Sequence, residues 1–134
     1  MPDGDDLTLR PIGRIFTGYR TPEDCPRNIA DNNPPSRIQV DGRYLPGLLG
    51  LEAGKFYDIL YWLDRGDRSD TKLVQTSRRT GGPIGVFRKR SPHRPNPIGL
   101  SRVKLLGVDG GCLTVGGLDC IDGTVLLDIK PALD

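Results

Sequence analysis

The chain has 134 residues, with Gly 18, Pro 12, a hydrophobic fraction of 36% and a formal net charge of +2. That length suits one domain with a real core, the Gly and Pro content favours short strands and tight turns over helices, and the near-neutral balance excludes a uniformly basic nucleic-acid coat. No stretch reaches the roughly eighteen apolar residues of a membrane span, and the amino terminus MPDGDD is acidic where a secretion signal is basic, so the cytoplasm is the expected compartment.

Residues 1 to 8 read as a flexible tail and residues 9 to 134 as one β domain. Residues 9 to 16, LRPIGRIF, alternate as a first strand, with Pro11 suited to its start or to an edge. Residues 17 to 36 are too rich in Pro, Asn and Asp for regular structure, and a loop of that length holding Arg20, Arg27 and Asn28 points to function. Residues 37 to 40 predict a short strand, and residues 44 to 55 a helical turn ended by Gly54. The strongest apolar run, FYDILYWLD at residues 56 to 64, predicts a central strand with Trp62 in or near the core. A charged loop, Asp64 to Arg68, follows it.

Two more short strands are expected at residues 73 to 77 and 84 to 87, then a longer one at residues 98 to 108. Asp109-Gly110-Gly111 sits between alternating runs and signals a hairpin into CLTVGGLD, where Gly116-Gly117 leaves bare backbone beside Leu118 and Asp119. Asp122-Gly123 makes another turn before the closing strand TVLLDIK, with Asp128 and Lys130 on one face. About seven mostly antiparallel strands with one short helix make an all-β fold, a small barrel or sandwich.

The most informative stretch runs from Gly81 to Ser101, GGPIGVFRKRSPHRPNPIGLS. Pro92, Pro95 and Pro97 fix φ and remove donors, so the segment between the flanking strands is a rigid loop. Arg88, Lys89, Arg90, His93 and Arg94 crowd it, and residues 78 to 104 contain no acid. Basic loops are commonly solvated surface. Here the prolines hold the guanidinium forks of Arg90 and Arg94 in place, and Ser91 and Asn96 add hydrogen-bonding groups between them, a pattern suited to binding an anion or a nucleic acid.

Other chemistries fare worse. Cys25, Cys112 and Cys120 lack Cys-x-x-Cys spacing and His93 is the sole histidine, so no disulfide framework and no metal site are indicated. A triad of Ser91, His93 and Asp128 can be drawn, but Ser91 has no nucleophile-elbow context. Asp119, Asp122 and Asp128 are available acids, of which Asp122 suits a turn and Asp128 suits an ion pair that orients Arg90 or Arg94.

PIGVFRKRSPHRPNPIGLSRVKL followed by LDCIDGTVLLDIKP, with IGRIFTGYRTPEDCPRN and GLEAGKFYDILYWLD before them, resembles the TsaA-like family, also known as the TrmO family, over nearly the whole chain. The resemblance implies a β-barrel, homodimeric, S-adenosylmethionine-dependent methyltransferase. Its acceptor would be N6 of threonylcarbamoyl-adenosine beside the anticodon of tRNA. Carried onto this sequence, the donor would be held by Ile29, Ala30 and Asp31, by Asp64 and Arg65, by Arg90 and Leu100, and by Gly116, Gly117, Leu118 and Asp119. Asp128 or Asp119 would be the base. Arg94, Asn96, Lys130, Ser91 and His93 would position the acceptor, with Arg78, Arg88 and Lys89 on RNA phosphates. The sequence departs from its bacterial relatives in Asp64-Arg65, where they tend to have His-Gln, and in Ala132, where an aromatic usually follows DIKP; those relatives often carry a further C-terminal domain, beyond the point matching DIKPALD. A non-catalytic RNA-binding barrel and a small-molecule methyltransferase are the alternatives.

Overall fold

A computed structural model describes residues 7–25 and 34–133. Its strands are β1 (Gly13–Phe16), β2 (Ser36–Val40), β3 (Phe56–Trp62), β4 (Val74–Thr76), β5 (Pro83–Gly85), β6 (Ile98–Asp109), β7 (Cys112–Val115) and β8 (Thr124–Pro131). Six of them close into a barrel in the order β1-β2-β7-β6-β3-β8, every neighbouring pair antiparallel, while β4 and β5 form a separate two-stranded sheet. Closure leaves the barrel without a free edge. The flexible tail expected at residues 1 to 8 falls largely outside the described residues.

Alternation decides what the barrel encloses. On β6, Gly99, Ser101, Val103 and Leu105 face in, whereas Ile98, Leu100, Arg102 and Lys104 face out. On β3 the inward set is Tyr57, Ile59 and Tyr61. With Ile15, Ile38, Leu113, Val115, Leu118 and Leu126 they form the core, and each buried aliphatic side chain is worth roughly 1.5–3 kcal/mol relative to exposure. The expectation for Trp62 is corrected: one residue beyond Tyr61, it lies half-buried on the outer face, where the Arg68 guanidinium covers its ring at 5.2 Å.

Three further details bear on the site. The helical turn forms as a 3-10 helix at Gly42–Leu48, earlier than expected, and contains Pro46. The hairpin at Gly110-Gly111 joins Asp109 to Cys112 as anticipated. In β8 the register shifts between the partners of Leu60 and Tyr61, which are Asp128 and Leu126, so Leu127 is an extra residue and Asp128 stands on the outer face opposite Leu60. No helix among the described residues is long and apolar enough to cross a membrane.

Candidate functional site

At one end of the barrel a cavity of about 940 Å³ opens between the mouth of β3 and β6, the charged loop after β3, the proline loop and the segment from Asp119 to Ile121. That is within the usual range for small-molecule sites. Its rim carries Arg65, Lys89, Arg90, His93 and Arg94, its wall includes Leu63, Ile98 and Leu100, and Tyr61, Ser101, Asp119 and Cys120 lie deeper.

The rim is rigid because its cations are tied to backbone. Arg94 Nη1 donates to the carbonyls of Lys89 at 2.8 Å and Ser91 at 3.2 Å, Arg90 Nη1 donates to Leu100 O at 3.2 Å, and Lys89 Nζ donates to Thr76 O at 3.0 Å. Arg68 reaches across from the charged loop, giving Nε to Pro95 O at 2.7 Å and Nη2 to Asn96 Oδ1 at 3.3 Å. His93 Nδ1 accepts from the Asp67 amide at 3.0 Å, which leaves Nε2 to carry the proton of the neutral ring, and its carbonyl accepts from Gln75 Nε2 at 2.7 Å. The two loops can lie this close because residue 66 is glycine; a Cβ there would collide with the Pro92 carbonyl and the Pro97 ring.

The floor is built from buried hydroxyls around one carboxylate. Tyr61 is 4% exposed, its hydroxyl lies 2.7 Å from Ser101 Oγ, and it donates to Asp119 Oδ1 at 3.1 Å. Burial first, and the charge of Asp119 second, hold the Tyr61 phenol well above its ordinary range. Burial also pushes the Cys120 thiol up to about 12, with Asp119 adding to the shift, and raises the Cys25 thiol in the same way. Three weak acids near Asp119 are thus all shifted toward their protonated forms.

The segment carrying Asp119 is pinned on both sides. The Leu118 amide donates to the buried Ser36 Oγ at 2.9 Å, and Thr17 Oγ1 donates to Cys120 O at 2.8 Å. Asp122 Oδ1 accepts from the Thr17 amide at 2.9 Å, so this acid shapes the turn, as its Asp-Gly context suggests.

The cavity gathers Asp64, Arg65, Arg90, Leu100 and Asp119 with Lys89, His93, Arg94 and Asn96. Ser91 lies within the proline loop, its Oγ accepting from the His93 amide at 3.1 Å. Gly116, Gly117 and Leu118 are not among the lining residues, and Leu118 is fully buried in the barrel core with its amide already bonded. Arg78 and Arg88 flank the β4–β5 sheet. Asp128 and Lys130 pair with each other at 3.4 Å on the outer face of β8, so the expected pairing of Asp128 with Arg90 or Arg94 is corrected; both arginines bond to carbonyls instead. Ile29, Ala30 and Asp31, like Arg27 and Asn28, lie outside the described residues. Tyr61 and Ser101 were not singled out from the sequence, and Cys25 and Cys120 were weighed only as disulfide or metal-site residues. The usable signal was Ser101, a polar residue on the inward register of β6 between Gly99 and Val103. Among the described residues, no group of three or more His, Cys, Asp or Glu is placed to hold a metal ion.

A family model described as the tRNA-methyltransferase O N-terminal domain matches residues 14–134. The chain belongs to this family. A probable S-adenosyl-L-methionine-binding protein, VirR of Rhizobium radiobacter, is 40% identical over 132 residues, covering 98% of this TrmO-family chain and 74% of its own. A human tRNA (adenine(37)-N6)-methyltransferase is 46% identical over 134 residues, covering 94% of this chain and 30% of its own. The crystal structure of TrmO from Pseudomonas aeruginosa superposes with a TM-score of 0.75 at 29% identity, covering 95% of this chain and 56% of that one. The domain thus spans about half of the bacterial TrmO chain and under a third of the human enzyme.

Proposed function

We propose that this chain is an S-adenosylmethionine-dependent methyltransferase domain acting on N6 of threonylcarbamoyl-adenosine beside the anticodon of tRNA, in the cytoplasm. The observation that carries the reading is the cavity in which Asp119 lies deep beneath a rim bearing Arg65 and Arg90, in a TrmO-family chain. Those residues fit the donor's chemistry. A carboxylate accepts from a ribose diol or an ammonium group, a guanidinium takes a carboxylate, and Leu63, Ile98 and Leu100 offer apolar wall. When bound, the donor supplies a methyl group on a positively charged sulfur.

The chain's part is alignment. The tied proline loop and the pinned Asp119 segment fix the two walls of the cavity relative to each other, and orientation of this kind accounts for much of the rate in a displacement. Of the two acids considered for the base, Asp119 lines the cavity, deeper than Asp64 at the loop after β3, whereas Asp128 faces away from it. Arg94 and Asn96 are engaged within the loops, so they shape the rim; Arg90 gives Nη1 to Leu100 O and keeps the rest of its fork for the donor, and direct RNA contacts fall to Arg65 and the β4–β5 sheet. There Arg78, Arg79 and Arg88 have no carboxylate partner among the described residues, and Phe87 is 79% exposed beside Arg88. A homodimer would use the outer face of β6 and β3, where Ile98 and Leu100 stand opposite Trp62 and Leu60 next to the cavity.

The test is calorimetric titration of S-adenosylmethionine into the parent, Arg90→Ala and Asp119→Ala proteins, followed by transfer of labelled methyl to tRNA with and without the threonylcarbamoyl group. Donor binding lost in both variants, with label only on the modified tRNA, is expected. Donor binding with no tRNA labelling would move the assignment to a small-molecule acceptor. Salt-dependent RNA binding with no donor affinity would make the protein a non-catalytic RNA-binding barrel.

A further inference from the structure

We infer that Tyr61 is a positioning residue that acts through Asp119 on whatever ligand the cavity takes; its consequence for methyl transfer rests on the function proposed above. Tyr61 is the last inward residue of β3, and its cross-strand neighbour on β6 is Gly99. A Cβ at position 99 would occupy the space of the Tyr61 ring, so the glycine lets the ring lie against the β6 backbone and carry its hydroxyl onward to Ser101 and Asp119.

The hydroxyl has one proton. It is given to Asp119 Oδ1 at 3.1 Å, so the 2.7 Å contact with Ser101 Oγ is donated by Ser101. The donors run in one direction, Ser101 to Tyr61 to Asp119, and end on the carboxylate. Phenylalanine would fill the same barrel position without the cost of burying a hydroxyl, and serine on the inward register of β6 carries the same cost. Among the described residues, the partners of both hydroxyls are each other and Asp119.

The pair completes a clamp. Ser36 holds the backbone just before Asp119 through the Leu118 amide, and Tyr61 holds the Asp119 side chain. With Oδ1 occupied, Oδ2 has no partner among the described residues and is the oxygen left for a ligand. Because the phenol is held protonated, it remains a donor to Asp119 throughout the working pH range.

A double-mutant cycle of Tyr61→Phe and Asp119→Asn tests this. Tyr61→Phe should fold normally and bind S-adenosylmethionine about tenfold more weakly, as expected when one hydrogen bond to a charged group is removed. In the Asp119→Asn background it should cause no further loss. A second arm needs no ligand: the alkaline absorbance difference at 295 nm between proteins with and without Tyr61 should stay flat up to about pH 11, and a phenolate signal should emerge at lower pH when Asp119 is Asn. Equal losses in the two backgrounds, parent-like binding by Tyr61→Phe, or a phenolate signal indifferent to Asp119 would each overturn the inference. If the parent protein binds no donor, the proposed function fails, and the absorbance arm still decides whether Tyr61 and Asp119 are coupled.

Discussion

The ring of Tyr61 occupies the place where a side chain at Gly99 would stand, so the aromatic floor of the cavity depends on a missing Cβ one strand away. Gly99→Ala must displace the ring. We expect a loss of about 1–3 kcal/mol in urea unfolding, as for other overpacked cores, together with loss of donor binding. Gly107→Ala, on the same strand with open space around it, is the control. It should leave stability unchanged or slightly improved. Equal effects at the two positions would mean that the fit between Tyr61 and Gly99 is unimportant.

Much of this architecture was legible in the residues, for physical reasons. The Asp-Gly hairpin, the alternation of β6 and the stiffness of the proline loop each follow from local chemistry, and local chemistry is what a sequence displays. Facing is harder: in FYDILYWLD the large apolar Trp62 masks the one hint, that its register also carries Asp58 and Asp64 while that of Tyr61 has no charge, and the closed barrel turns Tyr61 in and Trp62 out. The bulge at Leu127 was equally hidden, and it settles which way Asp128 faces. Proline-loop cations looked free because a sequence does not show the carbonyls of Lys89, Ser91 and Leu100 turning toward them.

The two acids considered for the base separate cleanly by experiment. Asp119→Asn should weaken donor binding without abolishing it and lower methyl transfer by at least about a hundredfold, the usual range for a positioned acid or base. Asp128→Asn breaks an ion pair with Lys130 in which both side chains are at least half exposed, so it should change stability by less than about 1 kcal/mol and leave turnover near the parent value. Single-turnover rates on labelled tRNA check both. A large loss from Asp128→Asn with intact folding would mean that the outer face of β8 takes part in the reaction.

Stability should fall at alkaline pH through the groups that Asp119 and burial keep neutral. The Cys120 thiol, ordinarily near 8.5, is pushed up to about 12 in the folded chain, mainly by burial. Its contribution is therefore complete below about pH 8.5 and is lost as pH rises toward the folded value, because the unfolded chain gives up the proton first. Tyr61 acts in the same direction from about pH 10. Unfolding free energies from urea titrations between pH 8 and pH 11 should decline, by up to about 1.4 kcal/mol per pH unit for each group. Cys120→Ala should flatten the lower part of that slope and Tyr61→Phe the upper part. A slope unchanged in both variants would show that other groups govern the alkaline limit.

Arg78, Arg79 and Arg88 flank the β4–β5 sheet with no carboxylate partner among the described residues, beside the exposed Phe87, and this sheet should behave as the RNA-binding surface. Arg78→Ala and Arg88→Ala should each weaken tRNA binding and reduce the slope of log affinity against log salt by somewhat under one unit, roughly 0.7–0.9 for each phosphate that is no longer neutralised. Phe87→Ala should weaken binding by about 1–3 kcal/mol without changing that slope, because stacking on a base releases no counterions. Fluorescence anisotropy with labelled tRNA at several salt concentrations separates the two signatures. Donor binding should be untouched in all three variants, since none of the three residues lines the cavity. Parallel sedimentation guards against a different cause. If Phe87→Ala leaves RNA affinity alone and converts a dimer to a monomer, the exposed aromatic belongs to an interface between two copies, and the RNA must enter from another side of the rim.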